Sequence, residues 1–202
     1  MKILYSFILS LIIISCECAD EIDTSREHIP SEFAQISVIN LANNFLDLKY
    51  NNIELGEYAT KTNLNQYKKI ESGRPVLSIS ISEQSENIYS IPLSLEKEKY
   101  YSALIFKKSR FRVLVFQDDF DLISGDDFLL RLINLSSSEA EYNFSSQINT
   151  LTEFESEEIP ANSRDILKIN NEIINLSNLT SGQIYNFVIQ SDGNIFVGQS
   201  TR

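Results

Sequence analysis

Short stretches in which apolar and polar residues alternate run through much of the chain. The clearest is Val76–Ser82, where Leu77, Ile79 and Ile81 fall on one face of an extended strand and serines on the other. Gln35–Leu41 shows the same two-residue period. No window of helical length carries a sustained apolar stripe with the 3.6-residue spacing of a helix. The pattern therefore predicts a succession of short β-strands.

Longer apolar runs come in pairs that indicate hairpins. Lys99–Phe106 and Phe111–Phe116 are β-branched or aromatic runs separated by a basic tetrapeptide. Ile184–Gln190 and Asn194–Gly198 flank Ser191–Gly193, and an Asp-Gly pair between apolar runs is a strong hairpin signal because glycine takes positive φ easily. Many short strands separated by polar turns are typical of a sandwich or barrel. We expect an all-β fold.

The chain also contains an internal repeat. Ile36–Leu41 and Leu130–Leu135 share Ile-Asn-Leu, and each is followed by a polar turn and an alternating strand. Lys99–Phe106 resembles Gln183–Ile189, and each is followed by a turn and a short apolar strand. The acidic stretch Asp118–Asp127 separates the copies. Two copies of one β-unit are the economical interpretation, and the shorter second copy is expected to lack a strand.

The N-terminus has the composition of a secretory signal peptide. Lys2 supplies a positive start, and Ile3–Ile14 is almost wholly apolar. That run is too short for a membrane-spanning helix, which needs about 20 apolar residues, but it suits the apolar region of a signal peptide. The alternative, a buried N-terminal helix, lacks a polar face.

The end of this run resembles the lipobox of bacterial lipoproteins. Ile13 stands three residues before Cys16, and the small residue Ser15 directly precedes it. The resemblance implies cleavage between Ser15 and Cys16 and a diacylglycerol on the Cys16 thiol. Two acyl chains give the stable anchoring that one chain cannot. A disulfide between Cys16 and Cys18 would be badly strained at that separation.

A polar, acidic stretch follows the cysteine. Glu17–Pro30 has no periodicity and reads as a flexible tether. Its acidic start resembles the surface-export signal of Bacteroidetes lipoproteins, although a plain solvated linker fits equally. The predicted organisation is a signal peptide (1–15), a tether (16–33), two immunoglobulin-like β-sandwich repeats (34–118 and 128–202) and a linker (119–127).

The repeat residues are similar to those of the domain of unknown function 4397 family. The likeness rests on the Ile-Asn-Leu strand, the basic-aromatic strand at Lys99–Tyr101, the aliphatic strand ending in Asp118-Asp119, and the second start at Arg131–Leu135. It is clearest over residues 34–144. The family's usual proline and acidic residues after the first strand are replaced by Ala42–Asn44 here. The resemblance implies a secreted or lipid-anchored bacterial β-protein, often from Bacteroidetes, and brings no catalytic residues.

The net charge of the chain limits the classes of binding partner that are expected. The 202 residues include 28 acidic and 17 basic side chains, for a net charge of -11. An acidic surface repels phosphate backbones, so nucleic acid is not an expected partner. It also disfavours electrostatic adhesion to anionic lipid, so the expected membrane contact is the lipid on Cys16.

Candidate chemistry is sparse. His28 is the only histidine and lies in the tether, so neither a Ser-His-Asp triad nor a histidine zinc site is expected. Cys18 lacks a basic neighbour that would activate its thiol. An irregular calcium site remains an alternative to a solvated linker at the acidic seam, formed by Asp118, Asp119, Asp121, Asp126 and Asp127. No catalytic residue, cofactor or metal ligand is assigned.

Tyrosines offer stacking surfaces, although the same residues are common in strands. The candidates are Tyr50, Tyr58, Tyr67, Tyr89, Tyr100 and Tyr101, and the chain has no tryptophan.

Three functions are compatible with these residues. The first is a lipid-anchored envelope protein of the outer membrane, with a surface-exposed orientation among its options. Its role is non-enzymatic (structural, adhesive or ligand-binding), with an envelope-protein or glycan partner. The second is a hydrolase of extracellular polysaccharide that uses paired carboxylates. The third is a fibre subunit whose edge strand pairs with a neighbour.

Overall fold

The computed structural model describes residues 32–61, 64–82 and 87–201, and its regular structure there is almost entirely β-strand. The predicted signal peptide, Cys16, Cys18, His28 and most of the tether lie outside the described residues. The first repeat contains β1 (Phe33–Asn40), β2 (Leu46–Tyr50), β3 (Ile53–Tyr58), β4 (Leu64–Gln66), β5 (Lys68–Glu71), β6 (Val76–Ile81), β7 (Tyr89–Pro92), β8 (Tyr100–Lys107) and β9 (Phe111–Asp118).

A 3₁₀ turn, Phe120–Leu122, lies in the seam that leads to the second repeat. The second repeat contains β10 (Phe128–Asn134), β11 (Ala140–Phe144), β12 (Gln147–Leu151), β13 (Ser156–Ala161), β14 (Ile166–Ile169), β15 (Glu172–Asn175), β16 (Ile184–Ile189) and β17 (Ile195–Thr201).

Each repeat is a sandwich of an inner and an outer sheet. The first has the inner order β5-β1-β8-β9 and the outer order β3-β2-β6-β7. The second has the inner order β13-β10-β16-β17-β4 and the outer order β12-β11-β14-β15. In both, the first strand pairs in parallel with the penultimate one, β1 with β8 and β10 with β16. The prediction of two tandem β-sandwiches is confirmed.

The inner sheets are buried on both faces because they pack against each other. Along β8, Ala103 and Ile105 point into the core of the first repeat. Leu104 and Phe106, on the opposite face, belong to a separate cluster that includes Ile133 of the second repeat. Burial on both faces explains why inner strands read as continuous apolar runs, whereas outer strands alternate.

This inter-repeat cluster joins the sandwiches into one body. Its buried members are Ile39, Leu41, Leu104, Phe106, Ile133, Leu135, Val188 and Phe196. Burying one such side chain is worth about 1.5–3 kcal/mol, so the cluster as a whole strongly favours the packed arrangement. The described part of the chain from residue 32 onward is therefore a four-layer stack, with the inner sheets in the middle.

One short strand crosses from the first repeat to the second. β4 pairs in parallel with β17, with Leu64 opposite Gln199. In the second repeat, the residues that correspond to Asn65 and Gln66 are Ser156 and Glu157, which remain in β13 and pair with β10. Within the described residues the first repeat therefore has nine strands and the second has eight, as the shorter second copy predicts.

The observed strands that the sequence predicts are those with a strong apolar pattern. Leu77 and Ile79 are buried in the first core, and Ile81 packs against it, as their alternation predicts. Gly193 has φ +81° in the turn between β16 and β17, which is the conformation that the Asp-Gly pair indicates. The strands β3–β5, β7 and β12–β15 were not predicted, since each has only three to six residues and none carries a strong apolar alternation.

Candidate functional site

A buried group of polar side chains lies between the inner sheets, at the end of β9. The Asp118 side chain has no solvent exposure, and its Oδ1 accepts a hydrogen bond from Arg131 Nη1 at 2.7 Å. Its Oδ2 accepts hydrogen bonds from the Tyr67 hydroxyl at 2.6 Å and from Ser102 Oγ at 2.7 Å. Three donors, one of them cationic, thus compensate the buried carboxylate.

The Arg131 guanidinium is equally well satisfied. It donates to Glu158 Oε1 from Nε at 2.8 Å and from Nη2 at 2.6 Å. It also donates to Asn186 Oδ1 at 3.1 Å and to the Gln117 carbonyl at 3.0 Å, and it lies over the Phe116 ring at 4.9 Å. Because Arg131 and Asp118 are enclosed, this group holds the repeats in register and offers nothing to a ligand.

Equivalent positions of the two repeats build this group. The registers of β1 with β8 and of β10 with β16, together with those of their neighbours, show which positions of the two repeats are equivalent. Ser37 corresponds to Arg131, Tyr67 to Glu158, Ser102 to Asn186, and Asp118 to Ser200. The Ser102 and Ser200 hydroxyls lie 2.9 Å apart. The joint thus resembles the self-complementary interface of a twofold dimer, formed within one chain.

The Tyr67 hydroxyl is a permanent hydrogen-bond donor to Asp118. Burial, followed by the charge of Asp118, raises the pKa of Tyr67 far above its ordinary value. Its ring makes edge contacts with Tyr100 and Phe120 at centroid distances of 5.0 and 6.0 Å. The hydroxyl therefore stays protonated at physiological pH and donates to Asp118.

The asparagine of each Ile-Asn-Leu motif braces the loop that follows its strand. Asn40 donates from Nδ2 to the carbonyls of Asn44 and Tyr58 at 2.8 and 2.9 Å, and its Oδ1 accepts from the Ala42 amide at 2.9 Å. Asn134 makes the same three contacts in the second repeat, with Ser138, Leu151 and Ser136. Since both asparagines are buried, their loss would leave buried backbone groups unsatisfied.

In the first repeat the braced loop presents an exposed aromatic ring. Phe45 is 57% exposed and directly follows Asn44, whose carbonyl is held by Asn40. It borders a cavity of about 480 Å³, here called the corner cavity. The corner cavity is lined by Asn43, Asn44, Phe45, Glu57, Ile81 and Ser82. An exposed ring beside amide, hydroxyl and carboxylate groups is suited to binding an amphipathic ligand.

A second cavity, here called the joint cavity, opens where the two repeats meet. It has a volume of about 250 Å³ and a floor formed by Leu41, Phe106 and Leu135 of the inter-repeat cluster. Its walls are Asn43, Lys61, Lys107, Lys108, Gln190, Ser191 and Asp192. Asn43 lines both cavities, so they adjoin at this side chain.

Lysines give the joint cavity a different electrostatic character from the rest of the chain. Lys108 forms an ion pair with Glu153, and Lys107 Nζ lies 5.3 Å from the centre of the Phe111 ring. Hydrogen bonds from the Asn194 side chain and backbone, with a smaller contribution from Lys61, hold the pKa of Asp192 below its ordinary value. Asp192 therefore remains charged and balances part of the lysine charge.

Lys61 is held at the cavity in an uncommon backbone conformation. Its φ is +52°, and its amide donates to the Asn40 carbonyl at 2.7 Å. Phe154 occupies the equivalent position of the second repeat, with φ +67° and the same hydrogen bond to the Asn134 carbonyl. The Phe154 side chain packs on Phe106, whereas Lys61 lines the joint cavity. One backbone conformation thus serves packing in one repeat and the cavity in the other.

The structure answers part of the calcium hypothesis. Asp118 is enclosed by Arg131, Tyr67 and Ser102, so its oxygens are already used. Asp119 accepts a hydrogen bond from the Asp121 amide, as the cap of the 3₁₀ turn. Within the described ranges, no three His, Cys, Asp or Glu side chains are grouped as a metal site would require.

The candidate tyrosines do not form a common stacking surface. Tyr101 is buried, and its hydroxyl accepts from the Glu96 amide at 2.8 Å. Tyr50, Tyr58 and Tyr89 are half-buried against the first core. The exposed ring at the candidate site is instead Phe45, which the sequence analysis did not single out. Its place directly after the Ile-Asn-Leu turn, where the second repeat has Glu139, is the signal that could have found it.

Comparison with known proteins gives no assignment: no family model matches the chain, and a search of curated proteins finds no significant match. Among the residues that the structure describes, there is no helix with the length and hydropathy needed to cross a bilayer.

Proposed function

We propose that this chain is a lipid-anchored protein of the bacterial cell envelope whose folded part is a non-enzymatic ligand-binding module. The observation that carries the proposal is the loop braced by Asn40, which presents Phe45 beside two adjoining cavities. A binding residue on a fixed loop loses little conformational entropy when a ligand arrives.

The four-layer scaffold supports this role. The joint cavity is formed by residues of both repeats, and its shape depends on how the repeats pack. The buried ion pair of Asp118 with Arg131 and the apolar inter-repeat cluster fix that packing. Binding sites are often found where two domains meet, since such a site can combine side chains from both.

The anchoring part of the proposal rests on the sequence. The lipobox-like Ile13–Cys16 segment and the resemblance to the domain of unknown function 4397 family both favour an exported protein held in the outer membrane by a lipid on Cys16. Metabolic labelling with a fatty acid analogue tests this directly. We expect labelling of the wild type, and no labelling and release from the membrane fraction for Cys16→Ser. Equal labelling of both forms would refute the lipid anchor.

The binding role is tested with the full chain purified in detergent. We expect a glycan array, or a pulldown from envelope fractions, to identify a ligand whose retention is lost in Phe45→Ala. Turnover of a polysaccharide that depends on a pair of carboxylates would instead support the hydrolase alternative and contradict this proposal.

A fibre subunit is the second candidate, favoured by one observation. β17 has β4 on its outer side, whereas the equivalent β9 is the last strand of its sheet in the described structure. β9 is an eight-residue, mainly apolar strand, and such edges readily pair with strands of other chains. Sedimentation of the full chain in detergent distinguishes the candidates, since a fibre subunit forms concentration-dependent oligomers that Val113→Pro abolishes. A monomer at all concentrations would exclude the fibre.

A further inference from the structure

We infer that the ligand of the two adjoining cavities is a saccharide that carries a carboxylate, such as a chain of uronic acids. This inference rests on the proposed binding function and names its ligand class. It combines two kinds of recognition on neighbouring surfaces: an aromatic ring with polar groups in the corner cavity, and lysines in the joint cavity.

The corner cavity suits a sugar ring. Sugars have faces of C–H groups and rims of hydroxyls, so they need an apolar surface together with donors and acceptors. Phe45 supplies the surface, since more than half of it is exposed. Asn43 and Asn44 supply amide groups that both donate and accept, and Glu57 supplies an acceptor for hydroxyls.

The joint cavity suits a carboxylate on the next ring. Lys61 and Lys107 line it, and neither forms an ion pair with a carboxylate within 4.0 Å among the described residues. Lys108 is neutralised by Glu153, and Asp192 offsets one further charge. One net positive charge remains in an opening whose apolar floor reduces screening by water.

The two cavities adjoin at Asn43, so one ligand can occupy both. The corner cavity, with about 480 Å³, has room for a ring, and the joint cavity, with about 250 Å³, has room for a smaller charged group. Asn40 fixes the backbone on both sides of Asn43 through the Ala42 amide and the Asn44 carbonyl. The spacing between ring and lysines is therefore set before the ligand binds.

The second repeat provides an internal comparison. Its loop has the same brace from Asn134, but Glu139 stands where the first repeat has Phe45, and Ser137 where it has Asn43. Phe154 stands at the position of Lys61 and is used in packing. The same backbone therefore lacks both the ring and the cation, which ties the ligand chemistry to side chains found in one copy.

Calorimetry with tetragalacturonate and with its methyl ester tests the inference. The ester keeps the sugar rings and removes the charges. We expect the wild-type full chain in detergent to bind the acid at least about fivefold more tightly than the ester, with the difference shrinking as salt rises. Phe45→Ala is expected to weaken both ligands about tenfold, which corresponds to the loss of one aromatic contact.

Variants that remove lysine charges test whether Lys61 and Lys107 cause the preference for the acid. Lys61→Gln with Lys107→Gln is expected to lower the affinity for the acid until the preference for the acid over the ester is lost. Lys168→Gln, on the outer sheet of the second repeat, controls for the loss of a lysine charge elsewhere on the molecule and should leave both affinities unchanged. A preference for the acid that survives the double variant, or that Lys168→Gln also removes, would overturn the role of the joint cavity.

Failure of this inference is distinguishable from failure of the proposed function. If neither oligosaccharide binds, the saccharide assignment is wrong. The binding function still stands if the array or pulldown identifies another ligand that Phe45→Ala releases. If no ligand depends on Phe45, both are wrong.

Discussion

The two repeats share the buried residues that brace their backbone, and they differ in the side chains at the joint between them and on the braced loop. Asn40 and Asn134 make the same three hydrogen bonds, and the hydroxyls of Tyr101 and Tyr185 accept from the backbone amide five residues before each of them, at 2.8 and 2.7 Å. These contacts fix the backbone at the ends of the inner strands. A common fold is thus held by a few buried polar residues, while the rest of each surface can change.

The differences lie at the joint and at the braced loop. Ser37 corresponds to Arg131 at the joint, and Phe45 corresponds to Glu139 on the loop. One copy therefore supplies the cation of the buried ion pair, and the other supplies the exposed ring of the candidate site. Asp118, the partner of that cation, belongs to the first repeat, and the joint cavity has walls from both repeats, so each copy depends on the other.

The largest effect is expected from breaking the buried ion pair. Arg131→Met removes the cation and leaves Asp118 charged and enclosed, which should lower the free energy of unfolding by about 3–5 kcal/mol. Ser37→Ala at the equivalent position should be nearly neutral, since Ser37 Oγ is buried without a hydrogen-bond partner among the described residues. Urea unfolding of both variants measures the difference, and equal losses would contradict the assigned role of Arg131.

The asparagine braces should be equivalent in stability and different in binding. Asn40→Ala and Asn134→Ala each leave buried backbone groups without a partner, at an expected cost of about 2–3 kcal/mol. Only Asn40→Ala should weaken retention of a ligand at Phe45. Urea unfolding together with the binding assay tests this, and an equal binding defect in Asn134→Ala would contradict the specific role of the Asn40 brace.

A further difference between the repeats at the joint is Gly198, whose equivalent in the first repeat is Phe116. A Cβ at Gly198 would lie 3.0 Å from Ile39 Cδ1 and from Phe196 Cε1. Gly198→Ala should therefore cost about 1–2 kcal/mol by overpacking. Adding Ile39→Val, which removes Cδ1, should recover part of the loss in a thermal unfolding experiment, and strict additivity of the two costs would contradict a direct clash.

The smallest effect concerns alkaline pH. The raised pKa of Tyr67 means that the unfolded chain loses this proton near pH 10, well before the folded chain does. The resulting stability is complete below pH 10 and is lost as the pH rises above it. Tyr67→Phe should lower stability by about 1 kcal/mol at pH 8 and flatten the decline above pH 10.

Tyr58 provides the control for that experiment. Burial raises the pKa of Tyr58 to about 12, and its hydroxyl has no hydrogen-bond partner among the described residues. Tyr58→Phe should therefore flatten the alkaline decline without the loss at pH 8. Urea unfolding between pH 8 and 11 compares them, and an unchanged slope in both variants would contradict the assigned titrations.

Much of the fold could be predicted because the strong signals belong to well-buried strands. Alternation located Val76–Ile81, and the shared Ile-Asn-Leu identified the repeat. The sequence does not show why the motif is repeated: in the structure, its asparagine is buried and braces the following loop. Short edge strands such as Gln147–Leu151 escaped prediction because four of their five residues are exposed and carry no apolar pattern.

The site and the joint could not be predicted because they depend on contacts between distant segments. Arg131 stands in an apolar strand, and nothing in its neighbourhood indicates that Asp118 and Glu158 enclose it. Its place in the acidic seam makes Asp118 a calcium candidate in the sequence, whereas in the structure it is the buried partner of Arg131. Phe45 is one of 12 phenylalanines, and in the sequence only its place after the Ile-Asn-Leu turn, where the second repeat has Glu139, sets it apart.

The crossing strand β4 has a consequence for the timing of assembly. Its partner residues, Gln199–Thr201, follow every other described strand segment in the chain, so the sheet of the second repeat closes only after they have been synthesised. Pairings between such distant segments form slowly, because a long loop must first be closed. The first sandwich therefore forms with β4 unpaired, and the pairing of β4 with β17 is a late step that requires a complete second repeat.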